Sequence, residues 1–401
     1  MFEVKIPERW QKMMLFQVAT EQKISNKNVH HQNLLSLSYG KIKRKDINTH
    51  GGLLPNSFDT YQIVHVGNII LRLTDLQNDH KSLRVGLVTE TGIITSAYTC
   101  LKPRENILPS FLYFVLHAYD IKKFFYGMGG GVRQSIGYSD IRKIFLPVPP
   151  LDEQEKIVRY LDKKTSDMTK FIDAKKKQVE LLEELKRSII SNAVTNGLFG
   201  DKTPDTWKDL KLFQIATEQK ISNKKVHNQN LLSLSYGKIK RKDINTSDGL
   251  LPANFDNYQI VQEGNIILRL TDLQNDHKSL RVGLATETGI ITSAYLCLKI
   301  FGNHYPKFFY YVLHNYDVAK KFYGMGSGVR QSLGYKDIRR IKIFVPPLWE
   351  QKEISDYLDA ECSRIENLIE ALKKEISLVE ELRKSLISEV VTGKIDVREL
   401  I

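Results

Sequence analysis

The sequence predicts two similar globular domains of the α/β (α+β) class, joined by two long α-helices that pair antiparallel as a coiled-coil spacer. Residues i and i+197 match without a shift of register from Trp10/Trp207 to Thr195/Thr392, and each copy ends in a long heptad pattern. A repeat of this length is a whole domain followed by a helix. The predicted division is a first globular domain (1–150), a first spacer helix (151–196), a linker with the second globular domain (197–347), a second spacer helix (348–393) and a carboxyl-terminal tail (394–401).

Each globular domain contains short runs rich in Val, Ile and Thr and bounded by Gly, Asn and Asp, which predict strands at 62–64, 68–73, 85–89 and 93–98. Residues 109–126 have a different pattern, because Phe111, Phe114, Val115, Ala118 and Ile121 recur at helical spacing. This mixture predicts an α/β or α+β domain without fixing the strand order.

The proline pairs Pro149-Pro150 and Pro346-Pro347 mark where the two long helices begin, since proline is tolerated only in the first turn of a helix. Heptad core positions follow in both copies: Leu151, Gln154, Val158, Leu161, Thr165, Met168, Ile172, Lys175, Val179, Leu182, Lys186, Ile189 and Ala193, then Leu348, Ser355, Leu358, Cys362, Ile365, Ile369, Leu372, Ile376, Val379 and Leu386. About 44 residues make a rod of roughly 65 Å. Because both helices belong to one chain, we expect them to pair with each other. Antiparallel pairing would place one domain at each end, whereas parallel pairing would crowd both domains at one end.

Charge is distributed unevenly along the chain. The net charge is +13, but the two helical segments carry only +1 and −5, which leaves +17 for the rest. Basic domains on a near-neutral or acidic spacer are typical of nucleic-acid binding. The charged amino terminus and the lack of any long apolar run predict a cytoplasmic protein, in which the three cysteines stay reduced.

Three clusters in each domain predict contacts with DNA: a basic segment after a tyrosine, a segment that mixes cations with amides, and an Arg-Gln pair after a glycine run. The predicted DNA-binding residues are Tyr39, Lys41, Lys43, Arg44, Lys45, Arg72, Gln77, Asn78, His80, Lys81, Arg84, Arg133 and Gln134, with Tyr236, Lys238, Lys240, Arg241, Lys242, Arg269, Gln274, Asn275, His277, Lys278, Arg281, Arg330 and Gln331 in the second copy. The competing interpretation of each single cluster is an ordinary solvated loop.

Catalytic motifs are not found. Residues 125–129 fit the F-x-G-x-G pattern of adenine methyltransferases, but they follow a helical pattern instead of a buried strand, and the element that would hold a flipped adenine is missing. No phosphate-binding loop, complete nuclease motif or metal-ligand spacing occurs. The sequence therefore predicts a chain with no catalytic residues, no metal and no cofactor of its own.

Two motifs occur twice: G-V-R-Q-S-x-G-Y-x-D-I-R, and V-P-P-L-x-E-Q at 148–154 and 345–351. With the basic domains and long helices, they resemble the specificity subunit of type I restriction–modification systems over nearly the whole chain. The resemblance implies two target-recognition domains on an antiparallel helical spacer. It also implies double-stranded DNA and two methyltransferase subunits as partners, which bring S-adenosylmethionine and methylate adenine N6, and a separate restriction or motor subunit for ATP hydrolysis and cleavage.

Members of this family commonly carry two dissimilar domains, whereas these two are nearly copies. Two like domains related by a two-fold axis read the same half-site on opposite strands, which predicts an interrupted inverted repeat as the target. Parallel helices would instead favour a direct repeat. Two alternatives remain open on sequence alone: a free-standing DNA-binding regulator or architectural protein, and a self-sufficient methyltransferase.

Overall fold

The computed structural model describes residues 6–27, 29–47, 55, 57–128, 135–245, 252, 254–276, 279–325 and 332–400. The chain forms two compact units. Unit 1 consists of Met1–Lys176 and Lys374–Ile401, and unit 2 consists of Lys177–Lys373. Each unit contains one globular head, the start of the long helix that follows this head and the end of the other long helix.

In its described residues, the head of unit 1, called head 1, contains ten short strands. They are β1 (Gln11–Met14), β2 (Ala19–Glu21), β3 (Leu35–Ser38), β4 (Lys41–Arg44), β5 (Gln62–Val64), β6 (Ile69–Leu71), β7 (Val85–Leu87), β8 (Gly92–Ile94), β9 (Thr99–Pro103) and β10 (Phe145–Val148). A four-stranded antiparallel sheet has the order β2-β9-β6-β7, and two-stranded sheets are formed by β1 with β10, β3 with β4, and β5 with β8. In the central sheet Ile70 lies opposite Gly86 on one side and Cys100 on the other.

The α-helices of head 1 are α1 (Leu15–Val18), α2 (Pro109–Ile121) and α3 (Tyr138–Ile141), and the first part of α4 (Leu151–Asn196) follows them in unit 1. Ile69 and Leu71 on one face of β6 join a large core with α2, and Ile70 on the other face joins a smaller core beneath the β3–β4 hairpin. This alternation is expected of a strand that is covered on both faces.

Unit 2 repeats this arrangement in head 2. Its strands are β11 (Lys208–Lys211), β12 (Ala216–Glu218), β13 (Leu232–Ser235), β14 (Lys238–Arg241), β15 (Gln259–Val261), β16 (Ile266–Leu268), β17 (Val282–Leu284), β18 (Gly289–Ile291), β19 (Leu296–Ile300) and β20 (Lys342–Val345). Its helices are α5 (Pro306–Val318), α6 (Tyr335–Ile338) and the first part of α7 (Leu348–Val391). The main sheet has the equivalent order β12-β19-β16-β17.

The long helices pair antiparallel inside each unit. In unit 1 Lys175 Nζ lies 2.7 Å from Glu375 Oε2, and Arg383 donates to the Oγ1 of Thr169 at 3.5 Å. The residue number rises along α7 from 375 to 383 while it falls along α4 from 175 to 169, so the two helices run antiparallel. In unit 2 Lys186 Nζ lies 2.5 Å from Glu366 Oε1. The predicted antiparallel coiled coil is confirmed, and all the predicted heptad core residues except Leu151 are buried or half-buried. Leu151 is exposed because it occupies the first helical position, before the helix reaches a partner.

The V-P-P-L-x-E-Q motif joins each head to its long helix through buried polar side chains. Gln154, at the start of α4, accepts the backbone N–H of Leu108 at 2.9 Å and donates to the carbonyl of Pro149 at 3.0 Å. The neighbouring Glu153 accepts the indole N–H of Trp10 at 2.7 Å. Since buried polar groups need partners, these bonds fix the angle at which the helix leaves the head. Gln351, Glu350 and Trp207 repeat the joint in unit 2.

The strand prediction 62–64 matches β5, and the other three predictions were correct in place but too long. The run 68–73 contains the three-residue strand β6, and 93–98 ends in a turn before β9 begins. The β3–β4 hairpin was not predicted as strands, because the sequence KIKR of β4 is dominated by cations.

Candidate nucleic-acid interface

The first basic cluster of head 1 lies on the β3–β4 hairpin. Leu37 and Ile42 pack towards the smaller core, so Lys41 and Lys43 lie on the opposite face of β4 and are exposed. Lys45, just after the strand, is exposed as well. The hairpin therefore presents a row of cations at a spacing that suits contacts with successive phosphates.

Tyr39 and Gly40 form the turn of this hairpin. Both have positive φ angles, +47° and +77°, as a tight two-residue hairpin turn requires. The Tyr39 side chain is largely exposed. A Cβ on Gly40 would lie 3.1 Å from the Cβ of Leu83, so glycine allows the turn to lie against the segment that precedes β7.

Arg44 differs from the three lysines because it already has a partner. Its Nε donates to Glu90 Oε2 at 2.6 Å, and Glu90 also accepts a hydrogen bond from the side chain of Asn33. The guanidinium remains mostly exposed, so any phosphate that contacts Arg44 has to compete with this carboxylate.

The second cluster forms the loop between β6 and β7, residues 72–84, called here the β6–β7 loop. The equivalent loop of head 2, residues 269–281 between β16 and β17, is given the same name. Gln77, Asn78, His80 and Lys81 are exposed at its tip. Amide side chains can make paired hydrogen bonds to adenine, and a lysine can reach guanine or phosphate, so this set can read base edges as well as bind the backbone. Arg72, at the beginning of the loop, is only partly exposed.

The loop is held by its own carboxylates and by a neighbouring tyrosine. Asp79 accepts the backbone N–H groups of Lys81 and Ser82 at 3.2 and 2.9 Å, and hydrogen bonds from Ser82 are the main cause that lowers the pKa of Asp79 to about 2. The His80 ring stacks on Tyr126, with 5.2 Å between the ring centres. The tip therefore has one defined shape.

Arg84 and Arg281 require a correction. Both were predicted to bind DNA, but both side chains are fully buried, with no exposed surface. Their guanidinium groups donate to backbone carbonyls of their own loops. A side chain enclosed in this way cannot reach a base or a phosphate, so neither arginine is available for direct contact with DNA.

The third cluster, Arg133 and Gln134 with Arg330 and Gln331 in the second copy, lies outside the described residues. The residues that flank it in head 1 are described, and both contact the β6–β7 loop. The hydroxyl of Tyr126 donates to the carbonyl of Asp79 at 3.2 Å, and the backbone N–H of Ile136 donates to the carbonyl of Leu73 at 3.0 Å. Both ends of the glycine-rich segment are thus anchored at this loop.

The hairpin turn, the β6–β7 loop and the ends of the glycine-rich segment meet in one part of the head, although they are far apart in sequence. Of the predicted residues in the described part of head 1, Tyr39, Lys41, Lys43, Arg44, Lys45, Gln77, Asn78, His80 and Lys81 are exposed. We call this surface the basic surface of the head.

Head 2 repeats this surface with the same residues, since 33–49 and 67–87 are identical to 230–246 and 264–284. Tyr236, Lys238, Lys240, Arg241, Lys242, Gln274 and Asn275 are exposed, Arg269 is partly exposed, and His277 and Lys278 lie outside the described residues. One contact differs from head 1: the Nζ of Lys238 lies 2.6 Å from Glu366 on α7.

Sequence reasoning missed two residues that shape the basic surface. Tyr126 supports the β6–β7 loop, and Asp120 accepts the backbone N–H of Arg84 at 2.6 Å from within α2, where burial raises its pKa to about 6. Both residues lie in or just after a predicted helix, where a tyrosine and an aspartate attract no notice. The available signal was that both are kept in the second copy, as Tyr323 and Asp317.

Within the described residues, no three His, Cys, Asp or Glu side chains come together in an arrangement that could hold a metal ion. In the same part of the chain, none of the helices has an apolar stretch that could cross a bilayer. The three cysteines are buried and unpaired, and burial raises the pKa of Cys100 and of Cys297 to about 12.

Two curated relatives are similar to most of the chain. A putative type I restriction enzyme MjaX specificity subunit from Methanocaldococcus jannaschii is 27% identical over 318 residues, covering 74% of this chain and 71% of the relative. The type I restriction enzyme MjaVIII specificity subunit from the same organism is 24% identical over 337 residues, covering 77% and 76%.

Solved structures share the fold. One chain, from a study of complex assembly and conformational transition of the type I R-M system, has a TM-score of 0.74 at 15% identity and covers 98% of this chain and 100% of its own. The HsdS subunit from Thermoanaerobacter tengcongensis has a TM-score of 0.55 at 15% identity, with coverage of 98% and 99%.

The sequence model of one protein family covers parts of both heads and both long helices. It is described as the type I restriction modification DNA specificity domain, and it matches residues 85–181 and 204–378, more than half of the 401 residues. The chain therefore belongs to the type I restriction–modification DNA specificity family.

Proposed function

We propose that this protein is the non-catalytic subunit that gives a type I restriction–modification complex its DNA sequence specificity. Residues 1–150 and 197–347 act as two target-recognition domains, and each reads one half of a bipartite target through its basic surface. The observation that carries this proposal is the basic surface itself, whose residues have the same identities in both heads and are exposed wherever both copies are described.

The chemistry of the basic surface suits double-stranded DNA. The lysines of each hairpin supply sequence-independent attraction to phosphates, while the amides at the tip of each loop can discriminate between bases. A β-hairpin and a compact loop are both narrow enough to enter the major groove. We therefore assign affinity to residues such as Lys43 and specificity to residues such as Asn78.

An interrupted inverted repeat is the target that suits this chain best. The two heads carry the same reading residues, and the helix segments run antiparallel inside each unit. Like heads on antiparallel supports present the same half-site in opposite directions, so each strand of the DNA offers the same bases to one head.

Two methyltransferase subunits are the protein partners that we propose, and they supply S-adenosylmethionine and methylate adenine N6. Each unit exposes apolar side chains on its helix pair that could bind one of them: Phe171, Leu378 and Leu382 in unit 1, and Leu368, Leu181 and Leu185 in unit 2. Exposed apolar side chains that recur at equivalent positions are typical of an interface. We further propose that a restriction subunit joins the complex for cleavage and that the protein acts in the cytoplasm.

Family membership supports this proposal over a free-standing DNA-binding regulator, and a pull-down test separates the two. Co-expression with the methyltransferase subunit of the same system should give a stable complex. Leu382→Arg and Leu185→Arg, at equivalent positions in the two units, should each remove one bound methyltransferase copy, and the double variant should remove both. A chain that binds its target tightly but captures no methyltransferase would instead support the regulator.

DNA binding is tested by separating affinity from specificity in the purified complex at fixed salt. Lys43→Ala should weaken binding to every sequence. It should also make the negative slope of log K against log salt shallower by about 0.9. Asn78→Ala should reduce discrimination at one base position by roughly 1–3 kcal/mol and leave that slope unchanged. The exposed spacer residue Lys177 provides the control, since Lys177→Ala should change neither quantity. Equal effects of all three variants would refute the proposed interface.

A further inference from the structure

The buried arginine of each head fills the inside of its β6–β7 loop. In head 1 the five bonds of the Arg84 guanidinium run from Nη1 to the carbonyls of Arg72 (3.2 Å) and Thr74 (2.6 Å), from Nη2 to those of Asp75 (3.1 Å) and Asp79 (2.6 Å), and from Nε to the hydroxyl of Tyr126 (2.8 Å). A guanidinium has five N–H donors, so every donor of Arg84 is satisfied.

Neutral carbonyl groups supply four of these five contacts. The Oδ2 atom of Asp79 is 3.9 Å from the guanidinium, beyond hydrogen-bond distance, and Asp120 bonds to the backbone N–H of Arg84. Burial of a cation is costly unless all its donors are paired, and four carbonyls that point into one space need a donor at its centre. The arginine and the loop conformation therefore depend on each other.

The inward carbonyls fix what the loop presents outside. Because Thr74, Asp75 and Asp79 direct their carbonyls to the guanidinium, the intervening tip projects away from it, and Gln77 and Asn78 are exposed. Asp75 takes a left-handed φ of +57° at the bend, which costs conformational energy that the loop contacts must offset.

The rim of the tip is tied down as well. The Nδ2 of Asn78 donates to Asp75 Oδ1 at 2.8 Å, and Lys123 Nζ donates to the carbonyl of His80 at 2.5 Å. Side chains held in this way lose little conformational freedom when they bind, which favours discrimination over loose attraction.

Head 2 builds the same loop around Arg281. Its Nη1 donates to the carbonyls of Arg269 and Thr271 at 3.1 and 2.7 Å, its Nη2 donates to those of Asp272 and Asp276, and its Nε donates to the hydroxyl of Tyr323 at 3.0 Å. Asp272 has the same left-handed φ, +55°.

We propose that Arg84 and Arg281 are positioning residues for base reading: each organises its β6–β7 loop from inside so that the amides at the tip meet base edges, without touching DNA itself. This inference rests on the proposed function and deepens it. It assigns sequence discrimination to the tip of the β6–β7 loop in each head and leaves general phosphate attraction to the hairpin.

The test compares Arg84→Lys and Arg281→Lys in the full chain bound to its methyltransferase subunits. Lysine keeps the charge but has only three donors, all on one atom, so it cannot bond the four carbonyls and the tyrosine hydroxyl together. The measured quantities are the affinity ratio between the intact target and targets with one half-site scrambled, and the salt slope of binding. Arg187→Lys, on the exposed face of α4, controls for the exchange itself and should match the wild type in both.

For Arg84→Lys we expect at least about a tenfold loss of discrimination at one half-site, the size of a lost paired base contact, with an unchanged salt slope. Arg281→Lys should have the same effect at the other half-site, and the double variant should lose both. Wild-type discrimination retained at both half-sites would overturn the proposal. A salt slope that becomes shallower by about one would also overturn the proposal, because this change would mean that the arginine contacts phosphate.

Tyr126→Phe removes only one bond of the arginine and provides a milder variant if Arg84→Lys lowers the melting temperature of the head. It should reduce discrimination at the same half-site by several-fold at an unchanged melting temperature, and full wild-type discrimination in this variant would overturn the proposal. A wild-type complex that prefers no sequence would refute the proposed function itself, which separates that failure from a failure of the positioning role.

Discussion

Units 1 and 2 carry the same residues proposed to read DNA, but on supports that are fixed differently. In each unit a groove lies between the hairpin, the main helix of the head (α2 or α5) and the pair formed by α4 and α7. The volume of this groove is about 570 Å³ in unit 1 and about 440 Å³ in unit 2. In unit 2 Glu366 binds both Lys186 of α4 and Lys238 of the hairpin, whereas the equivalent residue in unit 1 is Thr169, which accepts a hydrogen bond from Arg383. The hairpin of head 2 is thus tied to its helix pair by a carboxylate that head 1 lacks.

A second contact follows the same trend. Tyr311 on α5 donates to Asp359 of α7 at 2.7 Å, and Lys307 donates to the same carboxylate at 2.5 Å. The equivalents in unit 1 are Phe114 and Ser110, which cannot form these bonds. The comparison teaches that the residues proposed to read DNA are identical in the two heads, while the joint between head and spacer differs.

The largest expected effect tests whether equivalent core positions contribute equally to the stability of the two units. Leu161 and Leu358 are equivalent and fully buried at the start of the long helices. Each substitution to alanine should lower the free energy of unfolding of its own unit by about 2–5 kcal/mol through loss of packing and the cavity left behind. Hydrogen exchange measured separately on peptides of α2 and α5 shows which unit has lost stability. An equal increase of the exchange rate in both helices would contradict the division into two units.

The next effect is a pH dependence that both units should share. Burial lowers the pKa of His117 and of His314 to about 4, with the nearby cations Arg383 and Lys186 acting in the same direction and Glu366 opposing it in unit 2. Because the folded pKa lies below the unfolded value near 6.5, the folded state binds fewer protons. The contribution of each histidine to stability is complete above pH 6.5 and falls by about 2–3 kcal/mol as the pH drops towards 4. Asp120 and Asp317, whose pKa burial raises, act in the opposite direction, so the histidine effect is read from the difference between the wild type and each variant.

Calorimetric unfolding between pH 4 and 7 checks this histidine effect. His117→Phe should make the transition of unit 1 less sensitive to acid, and His314→Phe should do the same for unit 2. An acid sensitivity that is the same in the wild type and in the double variant would contradict the assignment.

A smaller effect should break the difference between the units directly. Tyr311→Phe gives unit 2 the residue found in unit 1 and removes a partly buried hydrogen bond to a carboxylate, which should cost about 1–2 kcal/mol of stability in unit 2. The reciprocal Phe114→Tyr adds a hydroxyl in unit 1 and serves as the matched variant. Hydrogen exchange in α5 should speed up in Tyr311→Phe alone, and an unchanged rate would mean that this contact does not hold the head.

The smallest effect concerns the link between the hairpin and α7. Burial of Glu366 would raise its pKa, but hydrogen bonds from Lys186 and Lys238 outweigh this and lower it. Because the folded pKa is lowered, the contribution to stability is present above pH 4.5 and is lost as the pH falls through the folded pKa. The pair is partly exposed, so Glu366→Thr should cost less than about 1 kcal/mol.

The same exchange should be visible in DNA binding. Glu366→Thr frees Lys238 for phosphate, so the salt dependence of binding should become steeper by up to about 0.9 in slope. Thr169→Glu should offer Lys41 a carboxylate and make the salt dependence shallower by a similar amount. Identical slopes for both variants and the wild type would show that neither Lys238 nor Lys41 contacts DNA.

Much of this architecture follows from the sequence, because a repeat and a heptad pattern are periodic signals that survive in one dimension. The offset of 197 residues and the helix starts at Pro149-Pro150 and Pro346-Pro347 were readable for this reason. The assignment of half of each long helix to the compact unit of the other head was not readable, since the heptads of α4 and α7 specify a partner but not the level at which the helices meet.

The candidate site was predictable only in part, for a different physical reason. Lys43 and Asn78 were identified as polar residues and are exposed. Arg84 has the same composition signal, yet its donors meet carbonyls that the loop supplies, and a sequence does not tell carbonyl partners from phosphate partners. Tyr126, which makes that loop possible, looks like an ordinary aromatic residue after a helix.

Selection of bound fragments from a random double-stranded library tests the central claim most directly, using the full chain with its methyltransferase subunits at one fixed salt concentration. We predict enrichment of one half-site in inverted orientation, at a single spacing between the two copies. Enrichment of the half-site as a direct repeat, of one uninterrupted site or of no sequence would contradict the claim that two like heads on antiparallel helices read the two halves of one target.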